Sequence, residues 1–174
     1  MTSENRADPV SLAERFAYSD RFKQLFGDGM GLVEESASYL DSAGREAARG
    51  LSRQAALLYG TESMRLTTRL MQLASWLLLQ RAANEGEMSR EQLIDEKKKV
   101  RLDSLPRSNH GPGWEMLPAV FVDLVARSIA LENRIITLDR ELYGERSADD
   151  APVENPVSQQ IELLTTALGA MRKG

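Results

Sequence analysis

Apolar residues recur at helical spacing along most of this chain. Strand signals are weak, with few β-branched clusters and no Asn-Gly turn between alternating runs. The pattern predicts an all-α fold. Ser11 with Glu14 reads as a capping box opening a short helix that carries Leu12 and Phe16. Ser19 and Asp20 restart the helix through Phe22, Leu25 and Phe26. Gly27-Asp28-Gly29-Met30-Gly31 then reads as a hinge, followed by a helix of roughly Met30 to Ala43 with Val33, Ala37 and Leu40 on one face.

The segment from about Ser52 to Glu85 has no proline and one interior glycine, Gly60. It predicts a single helix about 50 Å long, from ~1.5 Å of rise per residue. Two apolar stripes run along it: Leu66, Leu70, Leu73 and Leu77, and then Leu57, Met64, Met71 and Leu78 at strict seven-residue spacing. A surface helix needs one stripe, so two predict neighbours on two sides. Gly86 ends the helix, and Ser89 with Gln92 opens a short polar helix ending near Arg101.

The stretch from Asp103 to Gly113 is rich in turn residues and reads as a loop. Pro118 suits the first turn of a further helix reaching about Tyr143. Its core positions are Leu117, Phe121, Leu124, Ser128, Leu131, Ile135, Leu138 and Leu142, spaced 4-3-4-3-4-3-4, which is bundle or coiled-coil periodicity. After Tyr143, GERSADDAPVEN reads as a flexible linker. Asn155-Pro156 then starts an amphipathic segment with Val157, Ile161, Leu164, Leu168 and Met171 on one face.

The expected architecture is an antiparallel three-helix bundle around a very long central helix. Residues 1–29 supply short N-terminal helices, 30–144 the bundle, and 145–174 the linker and tail helix.

Composition narrows the function classes. The chain has no cysteine, which removes disulfides, thiolate metal sites and cysteine nucleophiles. Its one histidine, His110, lies in the Pro/Gly loop, so the Glu-x-x-His pairs of di-iron bundles are absent. The glycine-rich run lacks a preceding strand and a following Lys-Ser/Thr, so it is no phosphate loop. No metal site or cofactor is expected, and the chain reads as non-enzymatic.

MTSENRADPV is not a secretory signal. The greasiest run, Leu70 to Gln80, is far short of the ~20 apolar residues that span a bilayer. These points predict a cytoplasmic protein without a membrane partner. The net charge of −4 argues against nucleic acid. Lys97, Lys98, Lys99 and Arg101 are interspersed with acids and read as a solvated helix face.

Protein binding is what remains. Glu62, Arg65 and Arg69, at i, i+3 and i+7 on the long helix, are expected exposed contact residues. Trp76 either completes a core or sits in a subunit interface, where Trp is enriched. The tail stripe Val157, Ile161, Leu164 and Leu168 either folds back on the bundle or serves as a tethered ligand for a partner groove.

The run YGTESMRLTTRLMQLASWLLLQRAANEGEM, Tyr59 to Met88, resembles the central helix of the bacterial regulator of CtrA degradation (RcdA) family. Ser19 to Leu51 is similar to the same family, so the resemblance covers about Phe16 to Tyr143. The resemblance implies a three-helix bundle, a homodimer and a variable, flexible tail. It further implies an adaptor that helps the ClpXP protease receive protein substrates, the cell-cycle regulator CtrA among them. The partners it implies are a CpdR-like protease-binding protein and a cyclic-di-GMP-binding adaptor. It implies no catalytic residue. The alternative is a dimeric structural bundle that stabilises a complex unrelated to proteolysis.

Overall fold

A computed structural model describes residues 19–102 and 111–143. The short helix expected around Ser11, the loop histidine His110, and the linker and tail from 144 onward lie outside the described residues. The elements are α1 (Asp20–Asp41), α2 (Ala43–Arg49), α3 (Arg53–Asn84), α4 (Arg90–Lys99), a 3-10 turn (Trp114–Met116) and α5 (Ala119–Tyr143). No strand occurs among the described residues.

Local chemistry sets the helix ends. Ser19 and Ser52 each accept a hydrogen bond from the backbone N–H three residues on, Phe22 and Ala55, which satisfies a donor that the helix itself leaves free. The expected capping box at Ser89 and Gln92 is present in both directions. α3 stops at a Schellman arrangement, with Glu87 N–H donating to Ala82 and Gly86 N–H to Ala83. That turn needs the left-handed backbone of Gly86, φ 76°.

The expected break at Gly27–Gly31 does not occur: α1 runs through it without interruption. Tertiary packing explains the difference. Gly29 is buried where a Cβ would overlap the Leu77 side chain, so the glycine serves close approach of α1 to α3 rather than a turn. α1 therefore begins ten residues earlier than the expected helix at Met30, and the separate seven-residue α2 follows it.

α1, α3 and α5 form the bundle. Tyr59, Leu66, Phe121 and Leu124 belong to one core cluster together with Leu32, and Leu73, Trp76, Leu77 and Ile135 to another with Phe22 and Leu25. The early part of α1 thus meets the late parts of the other two helices, so α1 is antiparallel to both. α3 and α5 run parallel. Their starts meet where the Tyr59 and Phe121 rings lie 4.6 Å apart, and their ends meet at Trp76 and Asp139. A parallel pair needs a return connection, and α4 lies between the two helices in the chain.

Candidate interaction surface

The buried face of α3 carries Ala55, Tyr59, Glu62, Leu66, Arg69, Leu70, Leu73, Trp76, Leu77 and Gln80. Glu62 and Arg69, expected exposed, are 2% and 1% exposed. The correction has a simple geometric cause: they share the heptad face of Tyr59, Leu66 and Leu73, which points into the bundle. Arg69 donates through Nε to Glu132 Oε2 at 3.1 Å and through Nη1 to Ser128 Oγ at 3.3 Å. Arg65 stays partly exposed and donates to Glu62 Oε1 at 2.6 Å. Trp76, a candidate for a subunit interface, is fully buried in the bundle. Its indole N–H donates to Asp139 Oδ1 at 2.6 Å. Val157, Ile161, Leu164 and Leu168 lie outside the described residues.

A second polar cluster closes the far end of the bundle, around a lysine expected to be solvated. Lys97 is buried. Its Nζ donates to Gln80 Oε1 at 2.8 Å, pairs with Asp139 Oδ1 at 3.4 Å, and lies 4.2 Å and 3.7 Å from the ring centroids of Trp76 and Tyr143. The Tyr143 hydroxyl donates to the same Gln80 oxygen at 2.8 Å. Loss of hydration outweighs the Asp139 charge and brings the Lys97 pKa down to about 7. The available signal was spacing: Leu93 and Lys97 stand at i and i+4 on α4 and Val100 follows at i+7 just past its end, so the lysine sits on the apolar stripe. The neighbouring Lys98 and Lys99 are exposed and paired within α4, to Asp95 and Glu96.

The outer face of α3 is the reverse case. The stripe expected to meet a second neighbour faces outward: Leu57 and Met64 are 74% exposed, Met71 66% and Leu78 49%. Between them the exposed residues of the helix are Gly60, Thr61, Thr67, Thr68 and Ser75, so no exposed charge interrupts the face from Leu57 to Leu78. Each hydroxyl is already used: Thr61, Thr67, Thr68 and Ser75 donate to the carbonyls of Leu57, Ser63, Met64 and Met71 at 2.8–3.1 Å. A face whose donors are satisfied within its own helix can be covered without leaving them unpaired. Exposed apolar stripes of this kind mark contact surfaces.

Among the described residues, no group of three or more His, Cys, Asp or Glu is placed to hold a metal ion. No described helix is long and apolar enough to cross a membrane.

Residues 13–168 match a family described as "Protein of unknown function (DUF1465)". No curated protein matches the chain. The crystal structure of RcdA from Caulobacter crescentus CB15 is similar at 48% sequence identity and a TM-score of 0.61, covering 74% of this chain and 97% of that one. The resemblance read from Tyr59 to Met88 is thereby confirmed, and the chain belongs to the RcdA family described as a protein of unknown function (DUF1465).

Proposed function

We propose that this protein is a non-enzymatic, cytoplasmic adaptor for regulated proteolysis that works as a homodimer and helps the ClpXP protease receive cell-cycle regulator substrates such as CtrA. The observation that carries the reading is the 48% identity to RcdA over 97% of that chain. A surface built for contact supports it: α3 exposes four large apolar side chains on an uncharged face. The mechanism is tethering. Holding protease and substrate on one scaffold raises their effective concentration, to the millimolar range for short linkers. The partners are a CpdR-like protease-binding protein, a cyclic-di-GMP-binding adaptor and the substrates themselves. The burial of Glu62 and Arg69 leaves Arg65 and the tail residues Val157, Ile161, Leu164 and Leu168 as the partner contacts of this reading.

The test is reconstituted degradation of CtrA by ClpXP with the CpdR-like and cyclic-di-GMP-binding proteins, adding either the full chain or a truncation ending at Tyr143. Faster degradation with the full chain alone supports an adaptor that uses its tail. Equal acceleration by both moves the contacts to the bundle. No acceleration by either removes the proteolytic role and favours a structural bundle.

A further inference from the structure

α4 is held to the bundle by few side chains. Of its ten residues only Leu93 and Lys97 are buried, while positions 90–92, 95, 98 and 99 are exposed. Val100 and Leu102, just past its end, pack against the core cluster of Trp76 and Ile135. A helix this short is marginal in water on its own, so α4 exists because it is docked. An element with so little buried apolar area opens more readily than the core of the bundle.

One of the two anchors is an amine. Lys97 Nζ sits against the Trp76 and Tyr143 rings, with Gln80 and Asp139 as its polar partners. Its neighbours on α3, Trp76 and Gln80, do not ionise. From α5 come the Asp139 carboxylate and the Tyr143 hydroxyl, which burial holds protonated through the neutral range. From α4 itself comes the Arg90 guanidinium, 5.8 Å from the centroid of the Tyr143 ring. Asp139 also accepts the Trp76 indole N–H at 2.6 Å, so its charge is shared between two donors. A leucine here would dock α4 at any pH. A lysine docks it most readily without its proton, because burial penalises the charged form. We propose that α4 is a strap across the ends of α3 and α5, and that Lys97 is its proton-sensitive latch. The strap goes beyond the proposed adaptor role and is independent of it.

Thermodynamic linkage sets the direction. Opening returns the amine to water and to its ordinary value of 10.5, against about 7 when docked. The open form therefore takes up the proton first as pH falls. Opening becomes more favourable by about tenfold between pH 8 and pH 6, and levels off below that. It bares Trp76 and Tyr143, so a contact made to those rings is favoured by the same acidification.

Hydrogen exchange on the full chain reads the opening helix by helix. Protection factors in α4 should lie well below those of α3 and fall about tenfold from pH 8 to pH 6. Lys97→Met should abolish that fall, while Lys98→Met, which changes an exposed lysine, should preserve it. Asp139→Asn should carry the fall to lower pH, since it removes the charge that favours protonated Lys97. Equal protection in α4 and α3 would mean that α4 opens only when the whole bundle unfolds, and overturns the strap. Low protection in α4 that ignores pH, or that falls equally in Lys97→Met, overturns the latch.

Discussion

The Trp76 indole donates to Asp139 across a sequence separation of 63, and the same separation joins Arg69 to Glu132 and Gln80 to Tyr143. Three polar bridges at one offset form a ladder along the α3–α5 seam. A constant offset is possible only for parallel helices in a single register. A shift by one residue breaks all three bridges together, so the ladder opposes alternative packings that the apolar layers alone would tolerate.

Lys97 makes stability depend on pH in an unusual direction. Its folded pKa of about 7 is below the ordinary lysine value of 10.5, so between those values the unfolded chain binds the extra proton. Stability therefore rises with pH through that window, by about 1 kcal/mol per pH unit. Urea denaturation at pH 7 and pH 9 should show a higher midpoint at pH 9. Lys97→Met should flatten that difference. An unchanged slope in the variant would assign the pH dependence to other groups.

Arg69 and Arg127 separate buried from exposed ion pairs. Arg69 is enclosed between Glu132 and Ser128, while the pair of Arg127 with Glu35, at 2.7 Å, is about half exposed. Arg69→Ala should lower stability by about 3 kcal/mol, because it empties a buried site and breaks the bridge from α3 to Glu132 and Ser128. Arg127→Ala should cost about 1 kcal/mol or less. Equal losses in chemical denaturation would contradict this assignment of the seam.

Two glycines of one short motif should respond in opposite senses. Gly31→Ala meets nothing within 4 Å and should stabilise α1 by about 0.5–1 kcal/mol, by restricting the unfolded chain. Gly29→Ala places a methyl against Leu77 in the core and should cost about 1–3 kcal/mol. Thermal melts of the two variants test whether α1 is continuous here, since a hinge would make both changes unfavourable.

The heptad face of α3 was visible in the sequence but carried polar residues. Ala55, Tyr59, Glu62, Leu66, Arg69, Leu73, Trp76 and Gln80 are spaced 4-3-4-3-4-3-4, the same spacing as the core positions of α5. A search for apolar stripes passes over this set because Glu62, Arg69 and Gln80 interrupt it. It selects Leu66, Leu70, Leu73 and Leu77, which the fold buries, and with equal weight Leu57, Met64, Met71 and Leu78, which the fold leaves exposed. Hydrophobicity identifies residues that gain by leaving water, yet a charge can be buried if a partner from another helix meets it, and that partner is remote in sequence.

The sequence by itself determined the all-α class, the capping serines, the limits of α3, α4 and α5, and membership in the RcdA family. Those features depend on side chains within a few residues of one another, where backbone hydrogen bonding and apolar spacing act directly. Tertiary structure decided the continuity of α1 through Gly29, the parallel run of α3 and α5, the burial of Lys97 and the exposure of the Leu57–Leu78 face. Each of these depends on which groups meet across separate helices, from 17 residues apart for Lys97 and Gln80 to 63 for Trp76 and Asp139, and that pairing is settled only when the helices pack.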